Sequence, residues 1–155
     1  MEAYSSRELL CIPGKNKSYA IETAYVTELC RQAQLSRIPC MPEHYAGVCS
    51  YKGNIIPVIK LHSGEDAGVA EERLAGEHVG EDSLLLVVSC GKYQLGILFT
   101  GESYILPAGT AEMVESPAEM GGSGIWAEKE ICRHENEILF VIDMEKTVEG
   151  LIICQ

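Results

Sequence analysis

Short apolar runs of four to eight residues, each closed off by Gly, Pro, Asn or Ser, recur along this chain, and helical periodicity is scarce. That pattern restricts the fold to a mostly β architecture. Candidate strands are 8–12, 18–21, 26–30, 46–51, 55–61, 84–90, 93–99, 104–106, 125–132 and 138–142. Ten strands exceed one simple sheet. Two pairs are joined by compact turns, Gly14-Lys15-Asn16-Lys17 and Gly91-Lys92, where glycine supplies the positive φ of a tight hairpin. Pro57 removes a ladder donor from the 55–61 run, which predicts an edge strand or a bulge there. The tail at 143–148 reads as a short helix with Asp143 as its N-cap.

Residues 62–82 interrupt the strands with seven acids, one Arg, four Gly and little apolar content. They form an acidic connector, with a short helix possible at 70–75. The flanking halves echo each other. Asn54-Ile55-Ile56-Pro57-Val58-Ile59-Lys60-Leu61 parallels Glu137-Ile138-Leu139-Phe140-Val141-Ile142-Asp143-Met144, Gly47-Val48 parallels Gly124-Ile125, and Ala20-Ile21 parallels Gly96-Ile97. Their shared order predicts two related β subdomains, about 15–81 and 82–142, with terminal segments crossing between them. Each alone has a thin core, so their apolar faces are expected to pack together.

With 155 residues, 46% of them hydrophobic, the chain can hold a core without staples. No apolar run approaches the ~20 residues that span a bilayer. The N-terminal residues carry an acid at position 2 and no basic region before an apolar core, so a secretory signal is not expected and a cytoplasmic location is. A net charge of −11 opposes nucleic acid or an anionic membrane as partner. Seven Cys form an odd set with no C-x-x-C pair, which reads as reduced structural thiols rather than a metal site. The four His are scattered through loops, and neither nucleophile, metal nor phosphate motifs occur. No catalytic residue, metal or cofactor is expected.

The informative segment is 35–61, a strand, a double-proline corner and a hairpin whose tip is Tyr51-Lys52-Gly53-Asn54. A cation at such a tip is presented to solvent rather than packed. The run Arg37-Ile38-Pro39, Pro42, Gly47-Val48, Lys52-Gly53, Ile56-Pro57-Val58 and Leu61 resembles the CheW-like domain of bacterial chemotaxis coupling proteins. Upstream, Tyr19-Ala20-Ile21 and Val26-x-Glu28 are similar to the family's first hairpin. Downstream, Gly96-Ile97 and Ile142-Asp143-Met144-Glu145-Lys146 are similar to its second half and terminal helix.

The resemblance spans about residues 7–148 and implies two SH3-like five-stranded β-barrels sharing a hydrophobic seam. It also implies a non-enzymatic scaffold, peripheral to receptor arrays, that couples the histidine kinase CheA, through its regulatory domain, to the cytoplasmic tips of methyl-accepting chemotaxis receptors. A groove between the barrels would suit the receptor's helical hairpin. Receptor contact is implied at Val26, Glu28, Lys52 and Gly53; the kinase-contact residues carry no motif. The sequence departs from the family pattern in having Lys52 for Arg, Lys60 for Asp, Thr100 for Asp and Glu102 for an apolar residue. Those departures leave an adaptor for another kinase, outside chemotaxis, as the alternative.

Overall fold

A computed structural model describes residues 6–14, 17–31, 34–40, 42–61, 83–114 and 125–153. The strands are β1 (Leu9–Ile12), β2 (Ser18–Glu22), β3 (Val26–Arg31), β4 (Tyr45–Tyr51), β5 (Asn54–Lys60), β6 (Ser83–Cys90), β7 (Tyr93–Thr100), β8 (Tyr104–Leu106), β9 (Glu112–Val114), β10 (Glu128–His134) and β11 (Glu137–Ile142). A 3-10 turn at Thr23–Tyr25 separates β2 from β3, and helix α1 (Met144–Ile153) follows β11. The fold is mostly β, with two sheets and one short C-terminal helix. Ten of the strands lie where the apolar runs predicted them. The eleventh, β9, is three residues without a clear alternation, too short a signal to read. The possible helix at 70–75 lies outside the described residues.

One unit, residues 26–101, holds a five-stranded sheet in the order β3-β6-β7-β5-β4; the other, residues 1–25 with 102–155, holds a six-stranded sheet in the order β8-β1-β2-β11-β10-β9. The predicted boundary near 81 therefore falls inside one unit. The cause is strand exchange. β5, which precedes the acidic connector, pairs parallel with β7, which follows it, at Val58↔Gly96. β11 pairs parallel with β2 at Val141↔Ala20. The echo of Val58 with Val141 and of Gly96 with Ala20 is thus preserved in register, although each sheet draws strands from both halves. Gly47-Val48 stands in register with Glu130-Ile131, not with Gly124-Ile125, because Val58 opposes Gly47 and Val141 opposes Glu130.

Of the edge or bulge expected at Pro57, the edge is not found, since β5 runs between β4 and β7, while a register shift does lie beside it in the β4–β5 ladder, between Tyr45 and Gly47. Pro57 opposes Val48, whose own N–H and C=O bond to Ser36 on the far side. The ladder to β7 begins only at Val58. No donor is demanded of Pro57 by either neighbour.

In the five-stranded unit, Cys49, Tyr51, Val58, Leu85, Val87 and Leu98 are among the residues that form the core. Burying an aliphatic side chain of this kind contributes roughly 1.5–3 kcal/mol. The chain beyond β3 returns to the opposite edge of the sheet: Ser36 N–H donates to Val48 O at 2.8 Å and Val48 N–H to Ser36 O at 2.9 Å. In the six-stranded unit, Leu9, Cys11, Ala20, Cys132, Leu139 and Val141 pack together. Its buried carboxylates are paired: Glu22 with Arg7 at 2.7 Å and with Lys129, and Glu128 with Lys17. Asp143 Oδ1 accepts from Lys146 N–H at 3.0 Å, capping α1 as the sequence predicted.

Candidate protein-interaction site

The site begins with a register shift. β3 pairs with β6 at Val26↔Val88 and then at Glu28↔Val87, so the shift leaves Thr27 as an extra residue, its hydroxyl 2.8 Å from that of Ser89. A bulge of this kind bends a strand and re-aims the side chain that follows it, here Glu28.

Across from β3, at the opposite edge of the sheet, β4 and β5 meet in a two-residue turn between Tyr51 and Asn54. Lys52 has φ +46° and Gly53 φ +83°. Both signs are what a type I′ hairpin demands, and glycine meets the demand without strain. Lysine does not; a side chain in the left-handed region costs on the order of 1 kcal/mol.

Glu28 joins the two edges. Tyr51 OH donates to its Oε1 at 3.2 Å, and Cys30 Sγ–H donates to its Oε2 at 3.2 Å. Lys52 Nζ stands 4.0 Å from Oε1 and 5.4 Å from the centre of the Tyr51 ring. The Cys30 hydrogen bond, then that of Tyr51, outweighs desolvation and, with the Lys52 charge, holds the Glu28 carboxyl below its ordinary range. The group is therefore an anion at neutral pH, with a cation beside it whose side chain is 72% exposed. An ion pair this exposed contributes little to folding. What the arrangement provides is a fixed pair of opposite charges at the rim of a packed β unit.

Three of the four residues singled out from sequence thus share a small region, since Gly53 completes the turn that carries Lys52. Val26 lies on the other side of the bulge, half-buried, two residues from Glu28. Sequence reasoning missed Tyr51 and Cys30, which hold the carboxylate. Tyr51 had a usable signal, its place beside the tip, whereas Cys30 was indistinguishable from the other thiols.

Four of the described thiols are shifted away from the reactive thiolate. Burial pushes Cys11 up to about 12, with the Glu137 charge adding to it, and pushes Cys132 and Cys30 up to about 11. Burial raises Cys49 as well. At pH 8 a maleimide reagent is expected to label exposed Cys40 while the buried Cys11, Cys49 and Cys132 stay unmodified until the chain unfolds. Peptide mass mapping would check this; early modification of Cys11 or Cys132 would contradict it. Among the described residues, no group of three or more His, Cys, Asp and Glu is placed to hold a metal. His134 Nε2 lies 4.0 Å from Glu135, and the His44 ring lies against Tyr45.

Known proteins resemble this chain in sequence and in fold. The model of the CheW-like domain matches residues 8–151. A chemotaxis protein CheW from Treponema pallidum is 23% identical over 128 residues, covering 83% of this chain and 74% of that protein. Another from Klebsiella aerogenes is 26% identical over 153 residues, covering 93% and 82%. The crystal structure of the scaffolding protein TtCheW from Thermoanaerobacter tengcongensis superposes with a TM-score of 0.64 at 18% identity, over 89% of each chain, a likeness of fold.

Proposed function

Because the chain belongs to the CheW-like domain family, whose scaffolding proteins are non-enzymatic, we propose that it couples methyl-accepting chemotaxis receptors to a CheA-type histidine kinase at the cytoplasmic face of a receptor array. Among the described residues, no helix is long and apolar enough to cross a membrane. The reading assigns receptor contact to Val26, Glu28, Lys52 and Gly53, and the observation that supports it is the tip itself. A lysine is kept at φ +46°, where glycine or asparagine would be easier, and its ammonium is left exposed beside Glu28. Strain retained at an exposed position is a mark of use rather than of packing. Lysine in place of arginine keeps the charge and gives up the planar fork, so contact here relies on a point charge.

Two substitutions test this against a receptor signalling-tip fragment in calorimetry. Lys52→Glu is expected to weaken binding by about tenfold while the melting temperature hardly moves. Lys52→Gly is expected to weaken binding too, yet to raise stability by up to about 1 kcal/mol, because the left-handed strain is removed. A large loss of stability in either would give Lys52 a structural role. Failure of the unmodified chain to bind both a receptor tip and a kinase regulatory domain at tens of micromolar would overturn coupling. Binding to a kinase domain alone would favour an adaptor outside chemotaxis, the reading that Thr100 and Glu102 suggest.

A further inference from the structure

We propose that the end of the sheet beside the Glu28–Lys52 pair, formed by Lys52, Ile55, Lys92 and Tyr93, accepts an acidic helix with an apolar stripe. The proposal rests on the coupling reading and names the chemistry of the partner surface that reading requires.

Strand direction places these residues together. β5 and β7 run parallel with Val58 opposite Gly96. Because the two strands run in the same direction, the turns that precede them, Lys52-Gly53 and Gly91-Lys92, lie at one end of the sheet, and Ile55 and Tyr93, each an odd number of residues before the core-facing Val58 and Gly96, fall on the same face. Ile55 is 75% exposed, the most exposed large hydrophobic side chain among those described, and Tyr93 is 40% exposed. Each lysine lies over a tyrosine, Lys52 at 5.4 Å from the Tyr51 ring and Lys92 at 5.3 Å from the Tyr93 ring. Such contacts restrain long side chains before a partner arrives, which lowers the ordering cost of binding.

The charges select the partner. On a chain of net charge −11, each of the two turns at this end of the sheet carries a lysine, one on either side of β5 with its exposed Ile55. A helix presenting an apolar residue to Ile55 and Tyr93 has its i−4 and i+3 positions about one turn to either side, where carboxylates meet the two lysines. The molecule also contains its own comparison. The β10–β11 turn places Glu135 at φ +57°, the position of Lys52, and leaves Ile138 42% exposed, the position of Ile55. The shape is alike and the tip charge is reversed, so an acidic helix is steered to one and repelled by the other.

The test uses the full chain, isotope-labelled, with two designed helical peptides that share one leucine face, one glutamate-rich and one lysine-rich, alongside calorimetry with a receptor signalling-tip fragment. The acidic peptide is expected to shift amides at 51–55 and 91–94 and to leave 135–138 unmoved. Ile55→Ser and Lys92→Glu are expected to weaken both the acidic peptide and the receptor fragment five- to tenfold, with Ile138→Ser below twofold and all melting temperatures alike. An acidic peptide that shifts neither tip, or both equally, overturns the proposal even where the receptor fragment binds. The expected peptide pattern without receptor binding supports this face and overturns the coupling reading instead.

Discussion

Gly47→Ala is expected to cost about 3–5 kcal/mol of stability, a large part of the 5–15 kcal/mol that holds a typical domain together. Gly47 has φ +149°, and a Cβ added there would stand 2.5 Å from the Ser36 carbonyl oxygen and 3.2 Å from its carbon. Both are backbone atoms, so no rotamer change relieves the clash. The Ser36 carbonyl also accepts from Val48 N–H, and Ser36 N–H donates to Val48 O. Moving it breaks both bonds, each worth about 1 kcal/mol net, and the strained φ adds about 1–3 kcal/mol. For a chain of this length the melting temperature should fall by roughly 8–15 °C.

A comparison with Gly53→Ala separates the two causes. Gly53 also has positive φ, but a Cβ there meets nothing within 4 Å. Its loss should be about 1 kcal/mol, from conformation alone. Equal melting temperatures for the two variants would show that the Ser36 approach is not what Gly47 serves. The consequence reaches the interaction site. The segment that Gly47 admits is the continuation of β3, and Glu28 on β3 is bonded to Tyr51 on β4. A loosened seam is expected to separate Glu28 from Lys52, so Gly47→Ala should weaken the receptor binding proposed for this pair without altering either charged residue.

Most strands were legible because their signal is local. A run such as Leu84–Cys90 or Tyr93–Phe99 is apolar, of strand length and bounded by turn residues, whatever its partners. The helix was legible for a similar reason, since Asp143 at its start is a cap on any scaffold. Pairing was not legible, because partners are chosen at long range. The echo of 54–61 with 137–144 correctly identified equivalent strands, but adjacency in sequence gave no hint that β5 would seek β7 and β11 would seek β2. Once each hairpin is exchanged in this way, a boundary drawn at the acidic connector cannot match a structural one. The edge position read for Pro57 failed on the same account. The proline's demand for a missing neighbour is met inside the sheet, one residue before the parallel ladder starts.

The geometry of the candidate site was half legible. Lys52-Gly53 announced itself as a tip, and family resemblance pointed to Val26 and Glu28. Cys30 holds Glu28 from within the same strand, but the Tyr51 bond joins opposite edges of the sheet, and no spacing in the sequence encodes that meeting. Ile55 was hidden by its company: within Asn54–Lys60 it reads as one more apolar strand residue, and only the sheet shows that its face is open.

The exchanged strands also predict how one substitution will be tolerated. Gly96 pairs with Val87 and Val58, while its counterpart Ala20 pairs with Cys11 and Val141. One unit thus uses Gly with Val where the other uses Ala with Cys. A Cβ on Gly96 would stand 2.7 Å from Leu85 Cδ1 and 3.1 Å from Val58 Cγ2, both side-chain atoms in a fully packed core. Gly96→Ala is therefore expected to cost about 1–3 kcal/mol, the usual range for overpacking. Leu85→Val should cost about 1 kcal/mol on its own through lost packing. Because Leu85 Cδ1 is the atom in the way, shortening that side chain opens room for the new methyl group. The double variant should then be more stable than the sum of the two losses predicts, by about 0.5–2 kcal/mol. Denaturant unfolding of the four chains measures this directly. Strict additivity would mean that the strand backbones, rather than Leu85, yield to the methyl group, and that β7 is less firmly held between β5 and β6 than its register implies.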